Sequence, residues 1–122
     1  MAQVGLLFET ETSDDWNAAI VVNDTRDAFV SWSSANPFGS REGNPPYNPQ
    51  VRASGRLRTD PPRVIPSGVV VFQSTMPLGQ FRWGDYSAIT LDPNNACCTW
   101  GENEKVNAFF TWGSRVFSCC LQ

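Results

Sequence analysis

The chain has no histidine, and that absence removes two large classes of chemistry. A serine or cysteine nucleophile loses its usual imidazole base, and a zinc centre loses its commonest nitrogen ligand. No run of about 18 apolar residues occurs, so no segment is built to cross a bilayer as a helix, and membrane insertion is not expected. Neither a GxxxxGK[ST] loop nor a GxGxxG turn is present, which leaves nucleotide phosphates without a cradle. Cations are scarce as well. Nine Lys and Arg stand against twelve Asp and Glu, for a net charge of -3, so no basic face is available for a phosphate backbone and nucleic acid is not an expected partner. No cofactor and no resident metal are expected.

What the 122 residues do contain is nine Gly, nine Pro, eight Phe, five Trp and two Tyr. Aromatics suit a half-buried pleated surface and Gly and Pro punctuate it, so the composition favours short strands joined by tight turns. Apolar runs at Val4 to Glu9, Ala18 to Val22, Ala28 to Ser33, Gln50 to Leu57, Val69 to Gln73 and up to Leu91, with Cys97 to Trp100 and Ala108 to Phe117, read as about eight strands. In Ala28 to Ser33, Phe29 and Ser31 share one face and Val30 and Trp32 the other, the period of a strand. The cluster Asn23, Asp24, Thr25, Arg26 and Asp27 favours a turn, making a hairpin of the strands on either side. Asp92-Pro93-Asn94-Asn95 is a second turn signal. Asn36 to Pro49 holds too many Pro and Gly for a ladder and reads as a long loop, either a binding element or a connector. Gly101 to Asn107 reads as a polar loop between the last two strands.

Cysteines come as two adjacent pairs, Cys97-Cys98 and Cys119-Cys120. Neighbouring side chains on a strand point to opposite faces, so one member of each pair can bridge a hairpin while the other faces elsewhere. The spacing and the missing His favour a disulfide over zinc, and a disulfide implies an oxidising compartment. Met1 to Glu9 lacks the cationic start and apolar stretch of an export signal, so secretion or display at the cell surface would rely on a signal upstream in a parent protein.

The segment Arg82-Trp83-Gly84-Asp85-Tyr86-Ser87-Ala88, with Leu91-Asp92-Pro93, Thr99-Trp100 and Glu102-Asn103-Glu104, resembles sialidase-like and related β-propeller regions of large secreted bacterial proteins. The resemblance runs over roughly 16–120, the central hexapeptide being its most specific part. It implies an all-β architecture of about two four-stranded antiparallel blades, approximately 1–66 and 67–122; a small β-sandwich is the alternative. It also implies pairing of Cys98 with Cys119 or Cys120. An Asp box would place Gly and Thr where this chain has Asn94 and Ala96, so that motif is absent.

Candidate ligand-binding residues are Arg56, Arg82, Trp83, Asp85 and Tyr86, because guanidinium, carboxylate and aromatic rings together can hold a sugar or peptide. A structural role at a blade corner, with Gly84 at positive φ, is the competing reading. No catalytic residue is assigned. Trp32, Trp100 and Trp112 are expected in the core rather than on a sugar platform, and Glu102 to Glu104 in a solvated loop rather than around Ca²⁺. The expected function is a non-catalytic extracellular scaffold or binding module for glycan or protein ligands; the alternative is a fragment of a sialidase-like glycoside hydrolase. Expected structural partners are further blades or another copy of the chain.

Overall fold

The computed structural model describes residues 12–37, 39, 45–77 and 84–121. They form seven strands and no helix: β1 (Asp14–Val22), β2 (Ala28–Asn36), β3 (Tyr47–Arg56), β4 (Val69–Gln73), β5 (Ser87–Asp92), β6 (Asn95–Ala108) and β7 (Thr111–Cys120). Two antiparallel meanders result, β1-β2-β3-β4 and β5-β6-β7, and neither sheet closes on itself. Because β4 pairs with β3, the division between sheets falls between Gln73 and Ser87 rather than at residue 66. The second sheet has three strands among the described residues, not four. The strand expected at Val4 to Glu9 lies outside them.

Turn chemistry explains the first hairpin. The backbone N–H of Arg26 donates to Asn23 O at 2.9 Å and that of Asn23 to Asp27 O at 3.0 Å. Asn23 Oδ1 accepts from the backbone of Asp27 at 2.8 Å, and Arg26 takes a φ of 70° inside this network. The Asx side chains thus stand in for the backbone bonds that a glycine turn would supply.

The last hairpin departs from the sequence reading. Gly101 to Asn107 is not a loop; β6 continues through it to Ala108, and the chain reverses at Phe109 and Phe110. Two of the polar residues there, Asn103 and Glu104, are buried strand residues. Composition suggested a loop, but alternation is the stronger signal: Thr99, Gly101 and Asn103 are buried, whereas Trp100 and Glu102 on the opposite pleat are not.

The sheets stack face to face through the pleat that carries Phe29, Ser31, Ser33, Val51 and Ala53 in the first and Thr99, Gly101, Asn103 and Phe117 in the second. Its apolar centre is small: Val51, Ala53 and Phe117, with Val71 and Phe72 against them. Around it the contact is polar. Ser31 Oγ donates to Asn103 Oδ1 at 3.1 Å, Asn23 Nδ2 to Ala96 O at 2.9 Å and Ser74 Oγ to Val106 O at 2.6 Å. Lys105 Nζ sits 4.7 Å from the Phe72 ring centroid, a cation–π contact. Phe117 lies flat enough on β6 that a Cβ at Gly101 would collide with its ring. A bridge joins Cys98 to Cys120 across β6 and β7, Cys97 and Cys119 being free thiols. No helix of the described residues is long and apolar enough to cross a membrane.

Two outcomes test this packing. Gly101→Val should destabilise the fold by about 1–3 kcal/mol in urea titrations; an unchanged midpoint would contradict the contact with Phe117. The disulfide spans 22 residues, and its reduction should lower the unfolding free energy by up to about 3 kcal/mol, read by comparing unfolding curves with and without reductant.

Candidate functional site

A β-bulge shapes the first part of the site. Trp16 pairs with Ser33 and Ala19 with Ser31, so one extra residue is inserted in β1 between them. Asn17 absorbs it at a φ of 53°, a conformation that Asn tolerates better than most residues. The bulge sets Trp16 on the stacked pleat at the end of the sheet. There it lines a cleft of about 170 Å³ together with Asp14, Pro37, Tyr47, Asn48 and Pro77. The Tyr47 hydroxyl is bonded to Ser34 Oγ at 2.8 Å and Arg52 lies 5.7 Å from its ring centroid, so the ring is held on both sides.

Gly84 reaches the same cleft wall from the second sheet. It adopts a φ of 78°, and a Cβ there would fall 2.5 Å from Trp16 Nε1. Its backbone N–H donates to the buried carboxylate of Glu104. Glycine is therefore required for two reasons, the left-handed backbone and the close approach of the indole. Asp85 and Tyr86 follow it and are exposed. Arg82 and Trp83 lie outside the described residues.

Arg56 is not brought to this group. It pairs with Ala28, which pairs with Val22, six residues along β1 from Trp16, a separation of about 20 Å. Its Nη2 donates to Asp60 O at 2.9 Å, while Asp60 Oδ2 accepts from the backbone of Leu57 at 2.8 Å. Arg56 ties down the turn after β3. The same end carries a shallow hollow of about 550 Å³ between Asp24 to Asp27 and Leu57 to Thr59. Asp27 is its keystone: hydrogen bonds from Thr25, the backbone of Arg58 and Asn23 hold its carboxyl below the usual range.

Sequence reasoning singled out neither Trp16 nor Tyr47. The available signal was the long loop at Asn36 to Pro49, whose two ends supply Pro37, Tyr47, Asn48 and Pro49 to the cleft. The loop is shorter than expected, since Asn36 ends β2 and Tyr47 begins β3.

Trp32 is in the interior, as expected, its indole N–H donating to Asp15 Oδ1 at 3.1 Å. Trp100 and Trp112 are not: they are 46% and 51% exposed. Both stand on strands, but Trp100 is on the pleat turned away from the first sheet, and strand membership alone does not bury a residue. The Trp100 indole N–H donates to Asp92 Oδ2 at 2.9 Å. Asp92 also accepts from the backbone of Asn94 at 2.8 Å, and these two bonds hold its carboxyl below the usual range. Among the described residues no group of three or more Cys, Asp and Glu is placed to hold a metal ion. Burial pushes the Cys119 thiol up, which keeps it protonated and a weak nucleophile. No family model, curated protein or solved structure matches the chain.

The Asp92 carboxylate holds its bond to Trp100 in the ionised form. Because its folded-state value is depressed, the interaction is complete above the ordinary value of 3.8 and lost only as pH falls through the lower one. The Trp100 indole N–H resonance should therefore stay constant from neutral pH down to about 4 and move only in stronger acid. A transition centred above that value would contradict the assignment.

Proposed function

We propose that the chain is a non-catalytic β-propeller-type scaffold of the extracellular space, its two sheets serving as successive blades and the Trp16–Tyr47 cleft receiving a glycan. The observation that carries the reading is the manner of stacking: two meanders run in the same strand order, β1 facing β5, β2 facing β5 and β6, and β3 facing β6. A self-contained sandwich buries an apolar core between its sheets. Here the interlayer includes Ser31, Ser33, Thr99 and Asn103, all inaccessible to solvent, which suits units that rest on neighbours rather than on a large core of their own. The Cys98–Cys120 bridge suits an oxidising, extracytoplasmic setting.

The cleft supports the ligand class. An indole and a phenol offer flat apolar faces to the C–H side of a pyranose, and the Asp14 carboxylate and Asn48 amide offer polar partners to its hydroxyls. The alternative, a glycoside hydrolase fragment, needs a carboxyl whose pKa is raised to act as general acid. The shifts found on Asp27 and Asp92 go the opposite way.

A glycan-array screen followed by calorimetry tests the reading. Trp16→Ala and Asn48→Ala should each weaken the best glycan at least about tenfold, a loss of about 1.4 kcal/mol. Arg56→Ala, at the far end of the sheet, should leave affinity unchanged. Turnover of a glycan that is abolished by Asp85→Asn would overturn the proposal in favour of the hydrolase.

A further inference from the structure

The two sheets repeat one another in strand order, and the repeat leaves one face unmatched. Both hairpins lie at the same end of the stack, Asn23 Nδ2 donating to Ala96 O, and the strands face one another in the same order, so the second sheet repeats the first by translation and the pleat of the first turned to the second corresponds to the pleat of the second turned away. On the first sheet that pleat carries the rows Ala19–Ser31–Ala53 and Val21–Phe29–Gly55, and on the second Ala88–Glu102–Val116 and Thr90–Trp100–Ser118. In the first sheet these rows form the face packed on the second, and Phe29 is 1% exposed. The half of the corresponding face nearer the hairpin is open, with Ala88, Thr90, Trp100, Val116 and Ser118 all facing solvent, whereas Glu104 and Val106 farther along the same pleat are buried. Trp100, on the pleat that corresponds to that of buried Phe29, is 46% exposed and Val116 is 60% exposed. An aromatic and a β-branched residue side by side on an uncovered pleat are the composition of a packing face, not of a solvated one.

We infer that this open face docks the outer face of the first sheet of a second copy, head to tail, repeating between chains the stacking seen within one; the inference rests on the blade reading above. The offset between the two sheets carries the argument. Since β1 and β2 face β5, and β2 and β3 face β6, the same offset applied to the next copy sets β5 and β6 over its β1. The outward pleat of β1 there carries Ile20 and Val22, 64% and 53% exposed. The two surfaces differ, which makes the contact heterologous: copies add in one direction until a ring closes or a filament runs on.

Sedimentation velocity on the full chain, at concentrations up to about 500 µM to include weak specific association, tests this. The wild type should assemble beyond the monomer. Trp100→Glu, on the open face, and Ile20→Glu, on the outer face, should each weaken assembly at least about tenfold; Val116→Glu provides a second open-face variant if Trp100→Glu misfolds. The decisive arm mixes the two. Trp100→Glu retains an intact first-sheet face and Ile20→Glu an intact second-sheet face, so an equimolar mixture should form a dimer that neither forms alone. A wild type that stays monomeric, or a mixture that does not pair, overturns the docking. Nuclear Overhauser contacts between Ala53 and Phe117 in the same sample report separately whether the sheets within one chain are stacked, so loss of docking and loss of the blade arrangement are told apart.

Discussion

Ser31 and Asn103 meet at 3.1 Å between the sheets, both cut off from solvent. Two short polar side chains reach one another across a sheet interface only when the backbones lie close, and only small neighbours allow that. Gly101 beneath the Phe117 ring and Gly55 beneath Leu121 supply the space. The interlayer gives up the energy of a broad apolar core, since its apolar centre is a handful of residues. In exchange it fixes which rows oppose which, because a buried hydroxyl or amide moved off its partner loses its bond at a cost of about 1–3 kcal/mol. The bonds from Asn23 to Ala96 and from Ser74 to Val106 repeat the constraint at other places along the stack.

The site and the open surfaces follow from that registration. With the sheets locked row on row, the connection between them brings Gly84 against Trp16, and the β1 bulge turns that indole into the end cleft. The same locking leaves each sheet with one pleat unopposed. On the first it is partly filled from within: Trp32 is buried there and a Cβ at Gly68 would strike its ring, while Ser54 Oγ bonds Pro66 O at 2.6 Å. The proline-rich stretch after β3 thus lies against the outer pleat of β2 and β3, and β1 keeps Ile20 and Val22 exposed. On the second sheet Trp100, its indole N–H bonded to Asp92, remains in solvent.

Much of the fold was legible because its signals are local. Period-2 alternation in Ala28 to Ser33 and the Asn23 to Asp27 cluster define a hairpin whose bonds are made by those same side chains. Adjacent cysteines pointed to a cross-strand bridge, and the structure selects Cys120 over Cys119 because it stands directly opposite Cys98. What was not legible depends on which face of a strand is covered. Glu102 to Glu104 looks like a solvated acidic loop in composition, yet Glu104 is buried against the backbone of Gly84. Trp100 looks like a core residue, yet it stands on the part of its pleat that the described residues leave exposed. The cleft was half visible: the loop around Asn36 to Pro49 marked the place, but Trp16 comes to it through a bulge that no turn residue announces.

A double-mutant cycle on Ser31→Ala and Asn103→Ala, followed by urea unfolding of all four proteins, tests the registration of the two sheets most directly. The account predicts a coupling energy of about 1 kcal/mol between the two sites, as for a buried hydrogen bond. Strict additivity would mean that the residues do not meet and that the sheets are not stacked in this register.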